Sequence, residues 1–169
     1  MKNTIKVFVL VALTLAAMSV SAQVKLGHIE TQKLIQAMPE WTAAQKTFEE
    51  EQKKVNTELN SLREQFQTKL AEYSEKMKTY SEAMRATTEE ELQGLQQRIQ
   101  RFQETAMAQL EKTQKDLMQP VMEKALNAIK EVGKENGFTY IFDMNAGILY
   151  AAENSQDVLP LVKKKLGLQ

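Results

Sequence analysis

Residues 55–117 read VNTELNSLREQFQTKLAEYSEKMKTYSEAMRATTEEELQGLQQRIQRFQETAMAQLEKTQKDL. Apolar residues recur through this stretch at alternating steps of three and four. The first series is Val55, Leu59, Leu62, Phe66, Leu70, Tyr73, Met77, Tyr80 and Met84. The second is Leu92, Leu95, Ile99, Phe102, Ala106 and Leu110, then Thr113 as a weak place, then Leu117. One narrow stripe at that spacing is the seam of a coiled coil, not the broad face of a globular helix. The wider run from Pro39 to Gly133 has one internal glycine, Gly94, and one internal proline, Pro120. Most of the remainder are strong helix formers.

The two series are mirror images. Pairing Tyr80 with Leu92, Leu70 with Phe102, Phe66 with Ala106, Leu62 with Leu110 and Val55 with Leu117 centres every pair on residue 86. A plain heptad run has mirror centres every half heptad. Here the two steps of four from Leu62 to Leu70 match the two from Phe102 to Leu110, laying stutter against stutter. The spacing therefore predicts a long antiparallel coiled-coil hairpin reversing near residue 86. Thr87 or Thr88 would cap the returning helix, with Glu90 or Glu91 as capping-box partner. Each arm would hold about 44 residues and span roughly 65 Å.

Outward from the arm, residues 1–22 read as a secretory signal peptide. Lys2 and Lys6 are followed by the apolar run Val7 to Ala17, and Val20-Ser21-Ala22 puts small residues at the cleavage positions. That places the mature chain, from Gln23, outside the cytoplasm. Of 22 basic side chains, removing Lys2 and Lys6 leaves 20 against 22 acidic ones, so no general nucleic-acid binder is expected. The chain has no cysteine, which excludes disulfides, thiolate metal sites and a lipobox.

Residues 23–40 form the first part of a small body, with a strand at Val24 to Ile29 and a short helix from Thr31, capped by Thr31, to Met38. Residues 41–133 are the arm, bent at Pro120. The sole tryptophan, Trp41, is placed where the arm joins the body. Residues 134–169 form the second part of the body. Gly137 to Asp143 is a strand, Asn145-Ala146-Gly147 a turn, and Ile148 to Ala152 a second strand, making a hairpin. Asp157 or Ser155 caps a last helix. Three short strands with apolar residues on both faces cannot shield themselves in one copy. A closed sheet shared between copies would remove the open edges. Val24, Leu26, Ile29, Tyr140, Ile141, Phe142, Ile148 and Tyr150 are the expected body and inter-subunit core.

No catalytic constellation is present. His28 is the only histidine and sits in a strand. Gly133-Lys134-Glu135-Asn136-Gly137 is not a P-loop, and Asp143-Met144-Asn145 lacks the other ligands of a calcium loop. Neither enzyme activity, cofactor nor metal is expected. On the arm, Met84, Met107, Met118 and Met122 are candidate contacts for promiscuous partners, since methionine is flexible and polarisable.

Three segments resemble the Skp/OmpH family. They are Val24-Lys25-Leu26-Gly27-His28-Ile29 through Met38-Pro39-Glu40, Ala128-Ile129-Lys130-Glu131-Val132-Gly133 through Asp143, and Ser155-Gln156-Asp157-Val158-Leu159. The resemblance implies an α+β, mainly α protein: a helical tentacle on a small β-barrel body formed by trimerisation. It further implies an ATP-independent periplasmic holdase chaperone for unfolded outer-membrane β-barrel proteins. Well-known members are strongly basic, whereas here Lys76, Lys78, Arg85, Arg98 and Arg101 are balanced by Glu75, Glu82, Glu89, Glu90 and Glu91. No lipopolysaccharide site is therefore carried over. The alternative reading is a structural coiled-coil adaptor of the envelope that binds one folded partner.

Overall fold

The computed structural model describes residues 24–152 and 155–168. The signal peptide expected at 1–22 lies outside the described residues. The element order is β1 (Leu26–Ile29), α1 (Thr31–Gln36), α2 (Pro39–Lys76), α3 (Glu82–Glu135), β2 (Tyr140–Asp143), β3 (Gln156–Asp157) and α4 (Leu159–Lys165).

The long helices begin and end for local reasons. Pro39 opens α2 in its first turn, where a missing N–H is harmless. The Ser81 side chain caps α3 by accepting from the Met84 N–H. α3 runs unbroken through Pro120. That residue is exposed, so water can satisfy the carbonyl that its ring leaves free. α3 passes Gly133 and ends at Glu135. Gly137, at φ +68°, takes the left-handed position after the helix, and the Phe138 N–H returns to the Gly133 carbonyl.

α2 and α3 lie side by side. Glu40 at the start of α2 meets Lys124 late in α3, while Lys69 late in α2 meets Glu91 early in α3. The chain therefore doubles back, but not at residue 86. The turn is Met77 to Tyr80, followed by the Ser81 cap. The cross-helix partners Lys69 and Glu91, Tyr73 and Glu89, and Glu40 and Lys124 are symmetric about roughly residue 81 instead. Thr87 and Thr88 cap nothing. Their hydroxyls donate to the carbonyls of Ala83 and Met84, one turn back inside α3. The expected opposition of Phe66 to Ala106 is lost with the register: Ala106 faces the cleft lined by Val55 and Leu59.

The sheet has the order β2-β1-β3 and is wholly parallel. β1 and β2 are separated in sequence by the entire arm, as a parallel pair requires a crossover. Leu26 pairs with Tyr140, His28 with Phe142, and His28 on the other side with Asp157. The hairpin expected from Gly137 to Ala152 is therefore corrected. The turn at 144–147 exists, but Ile148 to Ala152 forms no strand. The third strand is Gln156–Asp157. Val158 is buried and its N–H donates to the His28 carbonyl, which draws this segment onto β1. Strand propensity at Ile148 to Ala152 has no opposing layer to pack on in one chain.

One core joins the body to the arm's root. Ile29, Leu34, Ile35, Met38 and Ala44 pack with Val121, Ala125, Ala128 and Val132 of α3, and with Val158 and Val162. Trp41 packs against this cluster. Gly27 is required here. A Cβ would lie 2.8 Å from the Phe138 ring and 2.9 Å from Val158. The body's polar joints are equally local. The Asp143 Oδ1 accepts from the Thr31 N–H, at the start of α1, and from the Asn145 N–H. The cap expected from the Thr31 side chain is thus supplied by a carboxylate at the end of β2.

Candidate functional site: the two-helix arm and the exposed face of the body

The face of α2 turned to α3 carries Ala44, Phe48, Val55, Leu59, Leu62, Phe66 and Tyr73, all at least partly buried. On α3 the corresponding face carries Leu92, Leu95, Ile99, Phe102, Ala106, Leu110, Thr113 and Leu117. Leu62 is 1% exposed, and Leu92 and Ala106 are buried. Leu70 is 42% exposed and Met77 equally so; neither seat in the expected seam is filled by them. Met77 already lies in the turn; for Leu70 the reason is the stutter. The α2 face steps from Phe66 to Lys69 and then Tyr73, so the partly buried Lys69 takes the place offered to Leu70 and its ammonium reaches Glu91. Tyr80 is half-buried beside the turn, its ring 6.4 Å from that of Tyr73.

The electrostatics of the arm are those of a solvated surface. The Tyr73 hydroxyl donates to Glu89, and that hydrogen bond holds its pKa above the ordinary tyrosine value. Glu40 is held below the usual carboxylate range by its hydrogen bond from Lys124. Lys165 of α4 bridges to Glu135 at 2.5 Å and Glu131 at 3.1 Å, tying α4 to the end of α3 and raising its own pKa. Exposed pairs of this kind are screened by solvent and contribute little to stability; they set register more than stability.

Of the candidate contact residues, Met84 is exposed, Met107 is 75% exposed and Met122 is 41% exposed. Met118 is partly buried against the core cluster. Leu126 is exposed as well. Between the helices, near mid-arm, Val55, Leu59, Phe102, Ala106, Met107 and Leu110 line an open cleft of about 710 Å³. In the body, Ile29 is buried and Ile141 and Ile148 are partly buried. Val24, Leu26, Tyr140, Phe142 and Tyr150 are exposed instead. The Tyr140 and Phe142 rings stack at 6.0 Å on one face of β2, with Leu26 beside them on β1. Leu149, absent from the sequence-based set, is 99% exposed.

Among the described residues no group of three or more His, Cys, Asp or Glu side chains could hold a metal ion, and no helix is long and apolar enough to cross a membrane. His28 is engaged structurally: its Nδ1 is 2.8 Å from the Ser155 hydroxyl.

Residues 25–166 match the family described as outer membrane protein (OmpH-like). The chain belongs to the OmpH-like family. A search of curated proteins found no match. Among solved structures, the chain is similar to an OmpH-like protein from Caulobacter crescentus CB15, solved as a candidate outer membrane chaperone. The two share 16% identity over 86% of this chain and 85% of that one, with a TM-score of 0.75. At that identity the likeness is one of fold: a small sheet and short helices carrying two long helices.

Proposed function

We propose that this OmpH-like protein is an ATP-independent holdase chaperone of the periplasm. It binds unfolded outer-membrane β-barrel proteins and keeps them from aggregating in transit to the outer membrane. The observation that carries this reading is how apolar surface is distributed along the arm. Leu70, Met77, Met84, Met107, Met122 and Leu126 each expose more than two fifths of their surface, and they are spread along the helices rather than gathered in one pocket. An enzyme concentrates its groups at one place. Scattered flexible apolar contacts suit an extended partner without fixed shape. Membership of the OmpH-like family supports the reading, as does the chaperone description of the Caulobacter protein.

The working unit in this reading is a trimer. The exposed Leu26, Tyr140, Phe142 and Tyr150 and the outer edges of a three-stranded sheet are covered when copies share a barrel. The arms form antiparallel coiled-coil tentacles around the client. Weak contacts from three arms add through effective concentration, so capture needs no nucleotide. Protein beginning at Gln23 is expected to keep a denatured barrel protein soluble on dilution, as read by light scattering. Equal scattering with and without it contradicts the reading. Binding of one folded envelope protein, with no preference for unfolded chains, would instead identify an adaptor.

A further inference from the structure

The arm's exposed apolar surface is made largely of methionine. Of its six most exposed large apolar residues, Met77, Met84, Met107 and Met122 carry a thioether. On α3, Met107, Met118 and Met122 follow at steps of eleven and four, and Leu126 follows at a further four. Steps of eleven and four return to nearly the same side of a helix, so these residues form one stripe beside the buried face. The chain has no cysteine, so no thiol competes for oxidant. Met38, in the body core, is 1% exposed and serves as an internal reference.

We propose that Met77, Met84, Met107 and Met122 are sites of reversible oxidation by hydrogen peroxide, and that their sulfoxides switch the arm's grip on unfolded chains off. This regulation rests on the holdase reading above. In the reaction the thioether sulfur attacks one peroxide oxygen and the O–O bond breaks. An S–O bond forms, and the other oxygen leaves as water with both peroxide protons. The sulfur is oxidised by two electrons and the peroxide is reduced by two. The sulfoxide is polar and stiffer than the thioether, so the four positions cease to offer apolar contact. None of the four sits in the body core, so the fold survives the change.

The test compares untreated and peroxide-treated protein beginning at Gln23, by peptide mass, circular dichroism and suppression of barrel-protein aggregation. The expected result is a gain of one oxygen, about 16 Da, at each of the four methionines but not at Met38. Helix content is retained, and most of the protection is lost. Methionine sulfoxide reductases acting with a thiol reductant restore it. The combined Met77→Leu, Met84→Leu, Met107→Leu and Met122→Leu variant keeps its ratio of treated to untreated protection near that of no treatment, whatever its starting level. Full protection after the four sulfoxides have formed would overturn the inference and leave the holdase reading intact. So would Met38 reacting as fast as the four, or loss of helix content in step with loss of protection. Failure of the untreated protein to protect would instead remove the holdase reading, and the switch with it.

Discussion

At the level of single residues, burial separates side chains that the repeat alone treats alike. Leu62 and Leu70 occupy equivalent-looking places in the sequence, yet only Leu62 is enclosed. Leu62→Ala is expected to lower stability by about 2–4 kcal/mol, as deletion of a buried leucine does. Leu70→Ala should cost less than about 1 kcal/mol. Urea titration of both variants checks the pair. Gly27→Ala forces a methyl group against Phe138 and Val158, and should destabilise by about 1–3 kcal/mol in the same assay. Asp143 gives a pH signature. Burial pushes its carboxyl up, but hydrogen bonds from Asn145 and Thr31 outweigh this and hold it below its ordinary value. A folded-state pKa below the unfolded one means that the contribution is complete above the unfolded value, about 3.9, and is lost as pH falls through the folded one. In Asp143→Asn the stability lost as pH falls below about 4 should shrink, as acid unfolding curves will report.

At the level of elements, the chain's helices were legible and their register was not. The three-four spacing from Val55 to Leu117 identifies two long helices that pack on each other. Nothing in that spacing selects one mirror centre over its neighbours. The matching steps of four favoured residue 86, but α2 does not use its second one: Lys69 stands in for Leu70. The turn itself has no glycine or proline; its one signal is Ser81, which caps three residues ahead of Met84. Lys69→Cys with Glu91→Cys should therefore cross-link under mild oxidant in this cysteine-free background. Leu62→Cys with Leu110→Cys should not, because the corrected register moves that pair roughly ten residues, or about 15 Å, out of step. Gel mobility under non-reducing conditions reads both. The body's strands were legible only where the chain supplies a partner. Tyr140–Asp143 has β1 to pair with. Ile148 to Ala152 has strand-like composition without a neighbour in the same copy, and the two-residue Gln156–Asp157 is too short to show in composition.

At the level of the whole molecule, function follows from what one copy leaves open. The body's core is closed around Ile29, Met38, Val132 and Val158, while Leu26, Tyr140 and Phe142 remain on the opposite face of the sheet. The arm's root is anchored in that core, and farther out Leu70, Met77, Met84 and Met107 face solvent beside the buried seam. Of the candidate contacts, Met84, Met107 and Met122 stood out in the sequence by residue type, but their exposure could only come from the fold. Leu126 and Leu149 were not legible, because a leucine at helical or strand spacing reads as core until its surroundings are known. The measurement that tests the account most directly is the native mass of the protein beginning at Gln23, alone and after mixing with a denatured barrel protein in the absence of nucleotide. The account predicts a trimer that gains the mass of one unfolded chain. A stable folded monomer, or a trimer whose mass does not change, would contradict it.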